Sequence, residues 1–214
     1  MFRLPGFVVV ILVVGVSVAG CSQTSPVVVD SLTFNASPNW QMESPDHDSR
    51  KLQFRVPSGD ENIEDASLVV WNLATLRDKG DGEVVERNMQ RWMKQFRQDD
   101  GSPYEEGGVR TEYRINGLPV YTFEITGRYT SESSPGSGLL VDKPGYRMVG
   151  AYVTAPQGDY IIKMVGPAHV VAANSGAFGT FLRSMRSSSA PWEHVSPEKN
   201  ARPNAMLTAT KSAR

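Results

Sequence analysis

The only cysteine of this 214-residue chain, Cys21, stands directly behind a run of apolar and small residues, and it rules out a disulfide within the molecule. The fold must therefore be held together by an apolar core. The run itself, Phe7 to Val18, follows Arg3 and is about a dozen residues long, whereas crossing a bilayer takes about 20. A short positive lead, an apolar stretch of that length and small residues ahead of the cysteine predict a secretory signal over residues 1–20. An uncleaved membrane anchor, or a plain signal beside an incidental cysteine, are the alternatives that the residues leave open.

Val18, Ala19, Gly20 and Cys21 fill the four positions of a lipobox, and the segment resembles the bacterial lipoprotein signal. The resemblance implies cleavage between Gly20 and Cys21, diacylglycerol on the Cys21 thiol, and a further fatty acid such as palmitate on the new amine. Several chains matter physically, because one acyl chain anchors only marginally. Ser22 in place of Asp implies the outer membrane, facing the periplasm, in bacteria that sort lipoproteins this way. The partner so implied is the membrane, through the lipid on Cys21; an anchored domain without catalytic residues adds the expectation of a second partner, another protein of the cell envelope. Residues 21–37, rich in Ser, Pro and Asn around the patch Val27-Val28-Val29, read as a flexible tether, with Trp40 among the first residues to pack. A folded domain then spans 38–187, and the polar stretch 188–214, with Pro191, Pro197 and Pro203, reads as a disordered tail.

Within the domain, Leu52, Phe54 and Val56 alternate up to Pro57, the pattern of a half-buried strand. Ala66–Leu73 (ASLVVWNL) reads as a more fully buried strand. Val85, Met89, Trp92 and Phe96 recur at helical steps, so the spacing predicts a helix over 83–97, capped by Asp81 or Gly82. Asn116-Gly117 between two β-rich runs, 109–115 and 118–126, is a hairpin signal. A two-residue loop puts Tyr113 opposite Val120 and Ile115 opposite Leu118, although Pro119 also allows a bulge. The other face then carries Tyr121, Phe123 and Ile125, so both faces of the sheet need cover. Residues 127–145, rich in Gly, Ser and Pro, read as a long loop, either functional or mobile. A second hairpin, 146–154 with 159–165, leads to a closing helix that starts at Pro167 or afresh at Ser175 and presents Phe178, Phe181, Leu182 and Met185.

This order of elements predicts a single α+β domain, an antiparallel sheet flanked by helices. It resembles the PsbP/Mog-type layered sandwich over about 150 residues. The resemblance is carried by Trp40, the strand LQFRVP, Trp92 with Phe96, the hairpin at Asn116-Gly117, the strands GYRMVGAYV and DYIIKMVGP, and Phe178 with Phe181-Leu182. That family includes a photosystem II extrinsic subunit, a Ran-binding transport factor and bacterial envelope lipoproteins. It implies a non-enzymatic, partner-binding scaffold, and no motif of the first two activities is present in this chain.

The residues themselves suggest little chemistry. A formal net charge of -1 with interspersed signs lacks the basic footprint of nucleic-acid binding. His47, His169 and His194 lie far apart and show no zinc spacing. Asp46-His47-Asp48 reads as a solvated loop, and Asp78 to Glu83 lacks the alternating ligands of a calcium loop. Gly136-Ser137-Gly138 has no strand ahead of it and is no nucleophile elbow. Glu105-Glu106 reads as exposed, without the desolvation that an acid catalyst needs. No catalytic, cofactor-binding or metal-ligating residue is assigned. The expectation is a non-catalytic interaction module, with the loop 127–145 or the sheet face near Tyr121 and Phe123 as its contact surface, and Tyr121, Phe123 and Tyr129 as the candidate residues. A carrier of a small apolar ligand is the alternative, and an enzyme with a site assembled from distant residues a third.

Overall fold

The computed structural model describes residues 26–73, 81–132, 138 and 140–188. The expected signal 1–20, Cys21 and residues 189–214 of the expected tail lie outside these, as do Asp78 to Gly80 and Gly136-Ser137.

Side-chain alternation builds the main sheet. In β4 (Arg50–Val56), Leu52, Phe54 and Val56 are buried, and Pro57, with no N–H, ends the strand. β4 lies between the short β3 (Gln41–Glu43) and β5 (Ala66–Leu73). Beyond β5 come β10 (Gly158–Pro167), β9 (Leu140–Ala155) and β8 (Leu118–Glu132). β6 (Phe96–Arg97) and β7 (Val109–Ile115) share the outer edge of β8 at different stretches. These pairings are all antiparallel and give one eight-stranded sheet.

Because side chains alternate, the sheet presents an apolar layer on each face. On one face Leu68, Val70, Ala151, Val153, Tyr160, Ile162 and Met164 meet helix α2 (Ala168–Arg183). On the other, Phe123, Ile125, Met148, Tyr152 and Ile161 meet helix α1 (Asp81–Met93) through Val84, Val85, Met89 and Trp92. The fold is α+β, an antiparallel sheet between two helices, in a single domain. α1 comes down closely because residue 150 has no side chain: a Cβ on Gly150 would stand 2.9 Å from the Trp92 ring.

The folded body already includes Pro26 and the residues that follow it, ahead of the expected start at residue 38. β1 (Pro26–Val29) and β2 (Leu32–Asn35) form a hairpin, and β11 (Arg186–Ser187) pairs on the other side of β2. Val27, Val29, Leu32, Phe34 and Ala36 are buried against the α2 face ahead of Trp40. The tether expected over 21–37 is thus folded from Pro26 onward. Its Ser, Asn and Asp content points to a loop, but the apolar residues alternate on either side of a two-residue turn in which Asp30 takes a left-handed φ of 50°. Phe34 stacks on Phe181 of α2 with centroids 4.6 Å apart, and Trp40 tilts against Phe54 and Phe181 while its Nε1 donates to Asn174 at 3.0 Å.

Two other expectations shift, and the open choice of start for the closing helix falls to Pro167. α1 ends at Met93 rather than at residue 97, because the next residues take hydrogen bonds from a strand edge: the Gln95 carbonyl accepts the Thr130 N–H at 2.7 Å and Phe96 pairs with Tyr129. The loop expected over 127–145 is largely ladder, with Tyr129 to Glu132 paired to Lys143 to Leu140, so β8 and β9 project as a two-stranded arm. The closing helix runs unbroken past Ser175, whose hydroxyl donates to the Val171 carbonyl, and Pro167 stands at its cap. The strand Ala66–Leu73 has its expected limits, and the first hairpin adopts the two-residue register, with Tyr113 opposite Val120 and Ile115 opposite Leu118. Asn116 and Gly117 take the positive φ values that turn demands, 49° and 84°. Pro119 falls one residue before β8 begins to pair with β9, where its missing N–H leaves that ladder intact.

Phe34→Ala should lower the free energy of unfolding by about 3–5 kcal/mol in denaturant titrations; a tether residue would give no change. Gly150→Ala should lose about 1–3 kcal/mol through the clash with Trp92. Gly176→Ala, in α2 with nothing within 4 Å of the added Cβ, should gain about 0.5–1 kcal/mol. Thermal midpoints should move in opposite directions, by about 2–4 °C per kcal/mol.

Candidate functional site

The two helices cover the sheet unequally, and the concave surface lies beside α1. Its buried stripe leaves Glu86 and Gln90 on the flank facing β7. Opposite stands the segment 104–107, held in place from both ends. Tyr104 donates its hydroxyl to the Thr126 carbonyl at 2.9 Å. Gly108, at a left-handed φ of 76°, passes so close to Phe123 that a Cβ would lie 2.4 Å from that ring. Between helix and strand runs an open-sided groove in two parts. One part, about 590 Å3, is lined by Gln90, Met93, Lys94, Tyr104, Glu105 and Glu106. The other, about 360 Å3, is lined by Val85, Met89, Thr111, Glu112 and Tyr121. Glu86 and Arg110 line both parts and pair across the groove at 2.6 Å. The Arg110 guanidinium also lies 5.8 Å from the Phe123 ring centroid.

Chemically the groove offers an apolar floor, a salt bridge at its waist and carboxylates on its rim. None of its lining residues is a histidine, cysteine or serine. Such a lining suits recognition of an extended segment that carries both apolar and charged side chains, with backbone groups to hydrogen-bond at the exposed β7 edge.

A second cluster lies further along the same face, where β8, β9 and β10 run beyond the end of α1. Tyr129 stacks on Tyr146 with centroids 6.1 Å apart and packs on Phe96 at 5.2 Å. Glu64 accepts from Lys143 at 2.8 Å and from the Tyr146 hydroxyl at 2.7 Å. The Lys143 contact first, then the Tyr146 hydroxyl, hold the Glu64 carboxyl below its usual range. Burial first, then Glu64, raises the Tyr146 phenol. Lys163 donates to the Gln95 side-chain oxygen at 3.1 Å and sits 5.7 Å from the Tyr129 ring centroid. Its amine is pulled down to about 8, chiefly by burial and then by the like charges of Arg91 and Arg50.

Of the residues expected to form the contact surface, only Tyr121 lies on the groove. Phe123 is fully buried, tilted against Trp92 at 6.4 Å and overlain by Arg110, so it is removed from the surface. Tyr129 belongs to the second cluster. No local pattern in the sequence singles out Arg110, Glu86 or Tyr104. The one cue there is Glu105-Glu106 followed by Gly107-Gly108, a close backbone approach after a charged pair. His169 is exposed at the start of α2, and Asp46-His47-Asp48 forms a turn in which Asp46 pairs with Arg50 at 2.7 Å and His47 with Ser49 at 2.8 Å. Among the described residues, no three His, Cys, Asp or Glu side chains come together as metal ligands.

No family model matches the chain, and no curated protein matches it. Among solved structures, the chain is similar to cyanobacterial PsbP from Synechocystis, with 13% identity and a TM-score of 0.48 over 79% of this chain and 95% of that one. It is similar to a Pseudomonas aeruginosa protein of unknown function at 12% identity and a TM-score of 0.46, covering 78% of this chain and 99% of the other. It is also similar to LpqN of Mycobacterium tuberculosis, described as involved in cell envelope biogenesis, at 9% identity and a TM-score of 0.46 over 76% and 83%. Among the described residues, no helix is long and apolar enough to cross a membrane.

Lys163 yields a pH test. Its folded value, about 8, lies below the ordinary lysine value, so the unfolded chain holds the extra proton between the two. The destabilisation is fully present below about pH 8, and it is relieved as pH rises from there toward about 10.4. Denaturant titrations should show the wild-type protein gaining stability relative to Lys163→Met over that window, with a constant difference below it. A constant difference at every pH would refute the assignment.

Proposed function

We propose that this chain is an exported lipoprotein of the cell envelope, anchored through Cys21, which binds a segment of another envelope protein in the groove between α1 and β7. The reading rests above all on the position of Cys21, which ends the leader Val18-Ala19-Gly20 and stands five residues ahead of the first strand. The leader takes the chain across the membrane, and the thiol receives the lipid. Ser22 directs the anchor to the outer membrane, and the body that carries the groove faces the periplasm. The module acts by binding: the groove joins an apolar floor of Met89, Met93 and Tyr121 to the Glu86–Arg110 pair, a lining that supports recognition of a mixed apolar and charged segment. Arg110 and the rim carboxylates would read charges on the bound segment, and the floor its apolar side chains. A carrier of a small apolar ligand fits less well, since both parts of the groove are open-sided and rimmed by charge.

The test combines an anchor variant and a groove variant in the intact chain. Cys21→Ala should release the protein from the membrane fraction and abolish fatty-acid labelling. With a photo-crosslinking residue at Gln90, an exposed α1 residue that lines the groove, the anchored protein should yield one discrete adduct with a second envelope protein, reduced about tenfold by Arg110→Glu, a difference of about 1.4 kcal/mol. Unchanged fractionation of Cys21→Ala, or adducts insensitive to Arg110→Glu, would count against the reading.

A further inference from the structure

The short distance between Cys21 and the folded body limits how the domain can stand on a membrane. β1 begins at Pro26, so the linking chain is five residues long and reaches at most about 18 Å. Pro26 pairs with Asn35, whose backbone N–H donates to the Ser184 hydroxyl at 2.8 Å, at the C-terminal end of α2. The next residue, Met185, accepts at its carbonyl from the Asn116 side chain at 2.6 Å, which brings the β7–β8 turn to the same place. Arg186 pairs with Thr33 of β2. The entry of the chain, the last turn of α2 and the Asn116-Gly117 turn therefore form one end of the molecule.

That end is basic. Arg183 and Arg186 are both exposed, and among the described residues neither is paired with a carboxylate; Arg183 donates only to the Thr180 hydroxyl. Tyr113, partly exposed on β7, feels the charge of Arg183. The carboxylates on the adjoining strands point elsewhere: Asp30, at the far end of β1, accepts from the Asn72 amide, and Glu112 lines the groove beside α1. Cations beside a partly exposed tyrosine, on the end that a short lipid leash holds down, are complementary to anionic headgroups.

We infer that this end, with Arg183, Arg186 and Tyr113, lies against the anionic headgroups of the membrane that holds the Cys21 lipid. The inference rests on the lipoprotein reading and adds an orientation to it. β8 runs 15 residues away from the Asn116-Gly117 turn, so the tip of the β8–β9 arm stands roughly 45 Å from the membrane-facing end, with Leu140 exposed near it. Each cation near the surface should favour the apposed orientation roughly fivefold.

The test uses the mature lipidated chain in vesicles of phosphatidylcholine with and without phosphatidylglycerol, doped with a lipid bearing a photoreactive headgroup. Adducts are mapped by mass spectrometry. With phosphatidylglycerol they should concentrate on 113–117 and 183–187 and spare both the arm near Glu132 and Leu140 and the loop around Gly59. Arg183→Gln with Arg186→Gln should lower that yield at least tenfold, and Arg183→Lys with Arg186→Lys should keep it. Even labelling of both ends, or yields unaffected by phosphatidylglycerol or by the Gln variant, would overturn the inference and leave the lipoprotein reading standing. An intact mass without acyl groups would remove both.

Discussion

The Phe34 ring lies flat on Phe181, and the relation between the chain's entry and the rest of the fold depends on that contact. β2 is four residues long and β11 only two, too short to persist as an independent sheet in water. They are ordered because Phe34, Val27, Val29 and Leu32 sink into the same core as Phe54, Trp40 and Val171. Packing rather than strand length thus ties Pro26 and the rest of β1 to the end of α2. With a single cysteine, already placed at residue 21, the described body has no covalent crosslink to replace that contact. Its hold on the N-terminal hairpin is as strong as the aromatic cluster and no stronger.

That cluster also explains which parts of the fold are readable from the residues. Where an element is long and its period unbroken, as in Ala66–Leu73 or the runs around Asn116-Gly117, local pattern and tertiary outcome agree. Where an element is short, composition and periodicity give opposite readings. Residues 26–35 hold enough Pro, Ser, Asp and Asn to look like a linker, and only the alternation of Val27, Val29, Leu32 and Phe34 marks them as paired strands. Phe96 continues the helical stripe of Val85, Met89 and Trp92 in sequence, yet it leaves the helix because the edge of β8 offers better hydrogen bonds. Competition between a helix turn and a distant strand edge cannot be read from one segment alone.

The site is legible to the same depth. Alternation places Tyr121 and Phe123 on one face of β8, which is correct, and it rightly implies that this apolar face needs cover. What alternation cannot show is where the covering helix ends. Trp92 settles over Gly150 and beside Phe123, so Phe123 is buried, while Tyr121, two residues nearer the turn, escapes to the groove wall. Arg110 has no local signature, because its role arises from two elements meeting: its head pairs with Glu86 of α1 while its guanidinium lies over Phe123.

The groove exists because the two faces are unequally covered. Seven strands abreast, with β6 and β7 sharing one edge, span about 30 Å, whereas a helix with its side chains is about 10 Å across. On the α2 face the β1–β2–β11 sheet fills the remaining width. On the α1 face, among the described residues, no second layer does so, and the remaining surface is closed by side chains alone. Toward the arm these are Tyr129, stacked on Tyr146, whose hydroxyl donates to Glu64, and Lys163, which lies by the Tyr129 ring and donates to Gln95. Toward the turn, β7 is left exposed on both sides along nearly its whole length. An open strand edge of that kind invites pairing with another chain, and the charges on Arg110 and Glu112 oppose indiscriminate pairing. Those same charges line the groove and set what may enter it, so protection of the edge and selectivity of the groove come from one set of side chains.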